Sequence, residues 1–152
     1  MKYVILHNIR SAHNVGSIFR TSDGAGVSKI FLTGYTPAPV DRFGRTVSEI
    51  EKTSLGASEI VPWEYCESVE EVLAKMKEDG VTTVAVEQHE RAVDYKNGSF
   101  PETVAFIFGN EVEGVPESIC AQADMVVEIA MAGEKESLNV SVAAGVVLFG
   151  RS

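Results

Sequence analysis

The sequence closes with Ser137-Leu138-Asn139-Val140-Ser141-Val142-Ala143-Ala144-Gly145-Val146-Val147-Leu148-Phe149-Gly150-Arg151-Ser152, and this stretch decides the fold. From Leu138 to Phe149, apolar and small residues fall on every side of a helical wheel, which predicts a helix that is buried all round. Chain termini normally fray at the surface, so a terminal helix of this composition is unusual. Ser137 is the predicted N-cap, and Asn139 is predicted to lie in the first turn. The pattern therefore predicts a C-terminus that is tucked into the protein beside a polar site.

The rest of the sequence alternates short apolar runs with amphipathic runs. The predicted strands are Lys2–Leu6, Ser28–Thr33, Ser58–Trp63, Val81–Glu87, Thr103–Phe108 and Met125–Ile129. The predicted helices are Asn14–Gly26, Val47–Leu55, Ser68–Glu78, Val115–Gln122 and Leu138–Phe149. The stretches Gly34–Thr46 and His89–Pro101 are predicted loops. This alternation is typical of an α/β fold with a mainly parallel sheet flanked by helices, and no linker or repeat divides it. We expect a single domain, residues 1–152.

The composition restricts the class of protein. Hydrophobic residues make up 45% of the chain, which excludes disorder. No charge-free apolar run approaches about 18 residues, so no membrane span is predicted, and the apolar N-terminal stretch is too short for a signal peptide. Cys66 and Cys120 lack metal-type spacing, and so do His7, His13 and His89. We expect a cytoplasmic protein without a metal site.

Charge is distributed unevenly along the chain. The formal net charge is -9, which by itself argues against a nucleic-acid partner. Residues 1–50, however, carry six cationic and three acidic side chains, a net +3, whereas residues 51–152 carry seven and nineteen, a net -12. Two interpretations stay open: an ordinary solvated surface, or an N-terminal part that faces phosphates.

The first candidate site segment is Asn14-Val15-Gly16-Ser17-Ile18-Phe19-Arg20, which follows the first predicted strand. Asn14 can cap the predicted helix, and Gly16 allows a close approach of backbone or ligand. Arg20 stands next to the apolar stripe of the same helix. A capped helix with one arginine whose stem covers apolar surface is the alternative explanation.

The second candidate segment runs from Phe106 to Val115, where an apolar strand ends in Gly109-Asn110-Glu111. Ligands of open α/β sheets bind beyond the carboxyl ends of the strands, so these polar groups mark a candidate rim. Neither a GxGxxG pattern nor a Walker lysine accompanies them, so this is not a phosphate-cradling motif. An ordinary strand-to-helix turn is the alternative.

The third candidate segment, Glu128–Asn139, leads from a strand through a flexible loop into the closing helix. Capping alone would explain Ser137. An asparagine inside an apolar helix needs a hydrogen-bond partner, so Asn139 indicates that polar groups meet there. The absence of a GxSxG elbow leaves a serine hydrolase without support.

Taken in order, these segments resemble the SpoU family of RNA ribose 2′-O-methyltransferases, within the SPOUT superfamily. The matching motifs are Asn14–Thr21, Lys52–Ser58, Phe108–Val115, and Ile129–Met131 with Ser137–Ala143. The resemblance implies a deep C-terminal trefoil knot, a homodimer, and S-adenosylmethionine bound in the knot. The residues that it places around this cofactor are Val86, Gly109, Ile129, Ser137 and Leu138. Ala130 departs from the motif, because the family commonly has proline there.

The reaction that the resemblance implies is methyl transfer to a ribose 2′-hydroxyl of RNA, with tRNA expected before rRNA. The implied catalytic residues are Asn14, Arg20, Glu111, Ser137 and Asn139. Arginine stays protonated, so we expect Arg20 to fix a phosphate and stabilise the developing alkoxide, with Glu111 orienting it. Some relatives hold RNA with an extra N-terminal domain or a basic C-terminal tail, and we expect this protein to bind RNA without either. A second copy, or an auxiliary RNA-binding protein, is therefore expected to contribute.

Two other functions fit part of the pattern. A non-catalytic knotted RNA- or nucleotide-binding protein would have no chemical need for Arg20, Glu111, Ser137 and Asn139 together. A doubly wound nucleotide-binding domain without a knot predicts a glycine-rich first loop, and His7–Asn14 contains no glycine.

Overall fold

The computed structural model describes residues 1–150, and Arg151 and Ser152, part of the predicted tucked terminus, lie outside the described residues. The strands are β1 (Lys2–His7), β2 (Lys29–Thr33), β3 (Trp63–Cys66), β4 (Thr82–Val86), β5 (Val93–Asp94), β6 (Val104–Phe108) and β7 (Met125–Glu128). The helices are α1 (Ala12–Gly24), α2 (Ser48–Ser54), α3 (Ala57–Ile60), α4 (Val69–Glu78), α5 (Glu117–Gln122) and α6 (Val140–Phe149).

These strands form one parallel sheet in the order β3-β2-β1-β6-β4-β7-β5. Strand β6 lies in the middle and pairs with β1 on one side and β4 on the other. Every residue of β6 is buried, as expected for a parallel strand that is covered on both faces. The predicted α/β fold with a parallel sheet is confirmed.

Helices cover both faces of this sheet. Val4 and Leu6 of β1 point into a core shared with α1, α2, α3 and α6, whereas Ile5 between them points into a core shared with α4 and α5. This alternation is the period of two that a strand imposes on its side chains. The site-bearing helices α1 and α6 therefore lie on the same face.

The prediction of a strand over Ser58–Trp63 is wrong. Ala57–Ile60 form the short helix α3, and β3 begins only at Trp63. Ala57 and Val61 are the buried residues of this stretch, and their spacing of four is helical. The predicted loop His89–Pro101 also contains the edge strand β5 and a one-turn 3-10 helix, both too short for a periodic pattern to reveal.

Helix α1 is capped by Ser11 and not by Asn14, contrary to the prediction. The Ser11 hydroxyl oxygen accepts a hydrogen bond from the Asn14 N–H at 3.1 Å, and the helix begins at Ala12. Serine three residues before a helical N–H is a standard cap, so the start lies two residues before the predicted one. The Asn14 side chain is consequently available for a contact outside the helix.

Helix α6 starts later than predicted, and its cap is different. Asn139, not Ser137, is the N-cap, because the Asn139 Oδ1 accepts a hydrogen bond from the Ser141 N–H at 2.8 Å. The predicted need of Asn139 for a hydrogen-bond partner is thereby met. Both residue types are good caps, so the sequence alone does not decide between them.

The prediction that α6 is buried all round is also wrong. Its core-facing side packs on α1, but Val142 is 51% exposed and Phe149 is 59% exposed. One side of this helix, in which Ser141 is the one polar side chain, thus faces outward in the single chain. No helix in residues 1–150 has the length and apolar character needed to cross a bilayer.

Helices α1 and α2 approach each other closely at Gly16. A Cβ atom on Gly16 would lie 1.7 Å from the Thr53 Oγ1 and 2.9 Å from the Ile50 carbonyl oxygen. The predicted close approach at Gly16 is therefore confirmed, as a contact between two helices. Gly145 on α6 is different, because a Cβ there would meet only the Thr21 Cγ2, at an ordinary 3.8 Å.

Replacing Gly16 by alanine is expected to lower the free energy of unfolding by about 1–3 kcal/mol, because the backbone of α2 must move away. Gly145→Ala is the matched control and should leave stability unchanged or raise it, since alanine favours a helix. Urea unfolding followed by circular dichroism measures both. Wild-type stability of Gly16→Ala would contradict the described packing of α2 on α1.

Candidate functional site

A cleft opens at the carboxyl edge of the sheet, between the ends of β4, β6 and β7 and the start of α6. Its lining residues lie in four segments, within residues 86–88, 108–114, 128–131 and 137–143. All five residues that the resemblance assigns to the cofactor line this one cleft: Val86, Gly109, Ile129, Ser137 and Leu138. They are distant in sequence, so the fold and not chain adjacency brings them together.

The order of the strands explains why these segments meet. Strands β6, β4 and β7 are neighbours and run parallel, so Phe108, Val86 and Glu128, their last residues, lie at one edge. Loops that leave adjacent carboxyl ends form a crevice, which is the usual ligand position in open α/β sheets. Val140 and Ala143 of α6 close the remaining side.

The loop after β6 is folded tightly against β4. A Cβ on Gly109 would lie 2.4 Å from the Gly114 carbonyl carbon and 2.5 Å from the Val115 nitrogen, so a side chain does not fit at Gly109. Glu87, which follows β4, accepts a hydrogen bond from the Val115 N–H at 2.8 Å. Gly114 has a φ of +71°, a conformation that favours glycine. A Cβ atom on Gly114 would also collide with the Glu87 carboxylate.

Asn110 connects the same loop to the neighbouring strand on the other side. Its Oδ1 accepts hydrogen bonds from the N–H groups of Val112 and Glu113, at 2.8 and 2.9 Å. Its Nδ2 donates to the Asn8 carbonyl at 3.0 Å and to the Tyr35 Oη at 2.9 Å. The buried amide is thus fully hydrogen-bonded, as a buried polar group must be.

Glu111 is the charged group that joins this loop to the start of α1. Its carboxylate accepts hydrogen bonds from the Arg10 N–H at 2.9 Å, the Ser11 N–H at 2.8 Å and the Asn14 Nδ2 at 3.1 Å. Partial burial raises the pKa of Glu111, but the hydrogen bonds from Arg10, Ser11, its own N–H and Asn14 outweigh burial and hold that pKa below its ordinary value. The site therefore keeps a fixed negative charge and an oriented Asn14 amide.

Arg20 stands apart from the cleft. Its side chain is exposed, and within residues 1–150 it forms no ion pair or hydrogen bond with Glu111. The prediction that Glu111 orients Arg20 is therefore not met in the single chain, where Glu111 holds Asn14 instead. The helix explains this, because six residues separate Arg20 from Asn14 by about 9 Å of rise and place it on a different side.

Ser137 and Asn139 occupy the exposed segment that leads into α6. Ser137 lines the cleft directly. Asn139 adjoins the lining residues Leu138 and Val140, while its Oδ1 caps the helix and also accepts a hydrogen bond from the Ser141 hydroxyl at 2.6 Å. Of the five predicted catalytic residues, Glu111 and Ser137 line the cleft. Asn14 is hydrogen-bonded to Glu111 and Asn139 lies next to the lining residue Leu138, whereas Arg20 lies outside the cleft.

Comparison with known proteins decides the family. Residues 1–149 match the model of the SpoU rRNA Methylase family. The chain belongs to the SpoU family.

Two named methyltransferases are similar to almost the whole of this chain. The 23S rRNA (guanosine-2'-O-)-methyltransferase RlmB of Neisseria meningitidis is 32% identical over 145 residues, which are 95% of this chain and 55% of that protein. The tRNA (guanosine(18)-2'-O)-methyltransferase of Thermus thermophilus is 34% identical over 146 residues, covering 96% of this chain and 71% of that enzyme.

A solved rRNA methyltransferase structure has the same fold. The AdoMet-bound rRNA methyltransferase from Sinorhizobium meliloti superposes with a TM-score of 0.88 at 31% identity, over 97% of this chain and 54% of that one. The chain therefore spans about half the length of this enzyme and of RlmB.

Sequence reasoning missed Glu87 as a residue of this SpoU-family site. Its carboxylate lines the cleft and accepts hydrogen bonds from the N–H groups of Val115 and Gln88, both at 2.8 Å. A signal was present, since Glu87 is the acidic last residue of the otherwise apolar predicted strand Val81–Glu87, and the observed strand β4 ends one residue before it. Tyr35 was also missed as the phenol that contacts Asn110.

Replacing Glu111 by glutamine is expected to lower the free energy of unfolding at pH 7 by about 1 kcal/mol, because charge-assisted hydrogen bonds are lost. The folded-state pKa lies below the unfolded value of about 4.3, so the carboxylate stabilises the fold above that pH and ceases to do so as the pH falls through the folded pKa. The difference between wild type and Glu111→Gln should therefore shrink when the pH is lowered towards about 3. Urea unfolding at both pH values measures it.

Glu113→Gln is the control for this experiment, because Glu113 is an exposed carboxylate two residues away. It should leave stability unchanged at both pH values. A Glu111→Gln deficit that is equal at pH 7 and at acidic pH would contradict the assigned role of the carboxylate.

Proposed function

We propose that this chain transfers a methyl group from S-adenosylmethionine to a ribose 2′-hydroxyl of RNA. The observation that carries the proposal is the convergence of Val86, Gly109, Ile129, Ser137 and Leu138 on one cleft. Membership in the SpoU family supports the same reaction, as do the names of the relatives from N. meningitidis and T. thermophilus.

The chemistry of the cleft fits this methyl donor. Val86, Ile129 and Leu138 supply apolar surface for a flat purine, and Gly109 offers its backbone without a side chain. Glu87 and Glu128 add negative charge to a site that would hold a sulfonium and an ammonium group. S-adenosylmethionine, when bound, supplies an electrophilic methyl group.

The polar residues at the rim would position the RNA. Asn14, whose amide Glu111 already orients, can donate to the RNA backbone, and Ser137 and Asn139 border the ribose from the α6 side. Arg20 would fix a phosphate and stabilise the negative charge that develops on the 2′-oxygen. Because Arg20 lies outside the cleft of its own chain, we assign this action to a homodimer in which one copy supplies α1 to the cleft of the other.

A homodimer is supported by the outward side of α6. Val142 and Phe149 are exposed on a helix that carries no charged side chain, and contiguous apolar surface of this kind is typical of a protein interface. A second copy of the same chain would cover it and would place two segments 1–50, each of net charge +3, in one assembly. If the two segments lie side by side, they form a shared basic strip that attracts RNA locally, although the net charge of -9 per chain opposes RNA binding.

We also propose the deep trefoil knot. The segment between β7 and α6 starts in the interior of the sheet, and the Glu136 carbonyl in it accepts a hydrogen bond from the Gln88 Nε2. At the other end of α6, the Leu148 carbonyl accepts from the Lys2 Nζ at 3.1 Å. The C-terminal segment thus contacts earlier parts of the chain at both of its ends, as a threaded segment would.

The finer assignments follow the resemblance. We propose tRNA before rRNA as the substrate, a cytoplasmic location, and residues 1–152 acting as one domain. An auxiliary RNA-binding protein stays a prediction.

The function is tested by incubating the purified protein with labelled S-adenosylmethionine and bulk tRNA or rRNA, followed by nucleoside analysis. We expect 2′-O-methylated nucleosides from tRNA. Label found only in rRNA would support the proposed reaction and contradict tRNA as the substrate. Calorimetric binding of S-adenosylmethionine without turnover on either RNA would favour the non-catalytic alternative, and no binding would contradict the proposal.

Arg20→Ala is expected to reduce turnover at saturating RNA by at least about 100-fold, as removal of a charge-stabilising group typically does. Arg20→Lys keeps the charge but loses the planar fork, so its turnover should fall by about 10-fold. Lys77→Ala, on the opposite face of the sheet, is the control. Near-normal turnover of both Arg20 variants would contradict the assigned role.

Val142→Glu is expected to convert the homodimer to a monomer, because it introduces a charge into the proposed interface. Analytical ultracentrifugation measures the mass of wild type and variant. Ile60→Glu is the control, since Ile60 is also an exposed apolar residue and should leave the mass unchanged. A wild-type protein that sediments as a monomer would contradict the proposed assembly.

A further inference from the structure

Residues Val40–Thr46, between β2 and α2, form a short hairpin that is held by internal hydrogen bonds. Val40 and Thr46 pair in antiparallel fashion, and the Asp41 N–H donates to the Arg45 carbonyl at 2.8 Å. The Asp41 Oδ1 accepts hydrogen bonds from the N–H groups of Phe43 and Arg45, both at 2.9 Å. The tip of the hairpin therefore has a defined conformation although it is exposed.

The tip presents an aromatic ring between two arginines. Phe43 is 66% exposed, and the guanidinium carbons of Arg42 and Arg45 each lie 4.9 Å from its ring centroid. Cations at this distance from an aromatic ring are attracted to its face. Phe43, Arg42 and Arg45 thus present an exposed aromatic ring and two guanidinium planes together at the tip of the hairpin.

Asp41 also fixes the direction of one guanidinium. The Arg45 Nε donates to the Asp41 Oδ2 at 3.1 Å. The two terminal amino groups of Arg45 make no hydrogen bond within residues 1–150, and neither does the guanidinium of Arg42. Planar donors that are already held in place lose little entropy when they bind a phosphate.

We propose that Arg42, Phe43 and Arg45 form a stacking site for a nucleobase of single-stranded RNA, beside the nucleotide that is methylated. This inference rests on the proposed function and adds a second contact site for the RNA substrate. Unpaired bases stack on aromatic rings and on guanidinium planes, and the same guanidinium groups reach the adjacent phosphates. The hairpin tip has a net charge of +1 in a protein of net charge -9, which suits it to this polyanion.

The hairpin is connected to the candidate site at both of its ends. On the β2 side, Tyr35 accepts a hydrogen bond from Asn110 of the cleft loop. On the other side, α2 packs on α1 at Gly16, and α1 carries Asn14 and Arg20. The hairpin therefore lies at the same edge of the sheet as the cleft, where an RNA strand would bind.

The test uses the full chain and a fluorescein-labelled, mixed-sequence single-stranded RNA of twelve nucleotides, with fluorescence anisotropy as the readout. Phe43→Leu should weaken binding by about 10-fold, because an aliphatic side chain does not stack. Phe43→Trp should bind within about 3-fold of wild type, since it restores an aromatic face. Ile60→Ala, which removes an equally exposed apolar side chain, is the matched control and should bind as wild type does.

Salt dependence separates stacking from charge. Phe43→Leu should leave the slope of log affinity against log salt unchanged, whereas Arg45→Gln should reduce its magnitude by about 0.7, the value for one phosphate contact of a single strand. With a duplex of the same sequence, Phe43→Leu should bind as wild type does, because paired bases cannot reach the ring. An equal loss of affinity on the duplex and the single strand would overturn the stacking site.

Failure of this inference is distinguishable from failure of the proposed function. If wild type methylates RNA and Phe43→Leu matches it in RNA affinity and in KM, the stacking site is overturned and the function stands. If wild type neither binds S-adenosylmethionine in calorimetry nor methylates RNA, the function is overturned, and a Phe43-dependent affinity for the single strand still supports the stacking site.

Discussion

The parallel pairing of β6 with β1 and β4 is the interaction on which the rest of the structure depends. Because β6 is hydrogen-bonded in parallel to β1 on one side and to β4 on the other, its loop emerges between the loops of these two neighbours. That loop is attached on both sides: Asn110 donates to the Asn8 carbonyl after β1, and Val115 donates to Glu87 after β4. The pairing of the strands in the core therefore determines where the loop lies and how it shapes the cleft.

Glu111 extends this arrangement to the first helix. The first N–H groups of a helix have no partner within it, and the positive end of the helix dipole favours a negative charge. Glu111 contributes that charge from another part of the chain, at the Arg10 and Ser11 N–H groups that precede α1. One carboxylate therefore holds the start of α1 against the loop of β6, and it orients the Asn14 amide in the same contact.

The sequence was most informative where the physical signal was local or repeated. Apolar runs located most of the strands, and the family resemblance pointed to five residues that line the cleft, four of them within the quoted motifs. It was least informative where two signals competed: Ser137 and Asn139 are both good caps, and Ser58–Trp63 has residues that suit a short helix or a strand. The contact between Glu111 and Arg20 could not be judged from the sequence, because it depends on how far α1 carries Arg20 from the sheet edge. Burial of α6 was overestimated because composition reports the apolar character of a helix and not how much of its surface the rest of the chain covers.

The two walls of the cleft are built differently. The wall formed by residues 108–114 is tied to both neighbouring strands through Asn110 and Glu87, whereas residues 132–139 opposite are exposed throughout and have few hydrogen bonds to the body, such as that from Gln88 to Glu136. The free energy of local opening is small for a segment that makes few contacts with the rest of the protein. Entry and departure of a bound molecule are therefore expected to involve movement of residues 132–139, of which Ser137 and Leu138 line the cleft, while residues 108–114 stay in place.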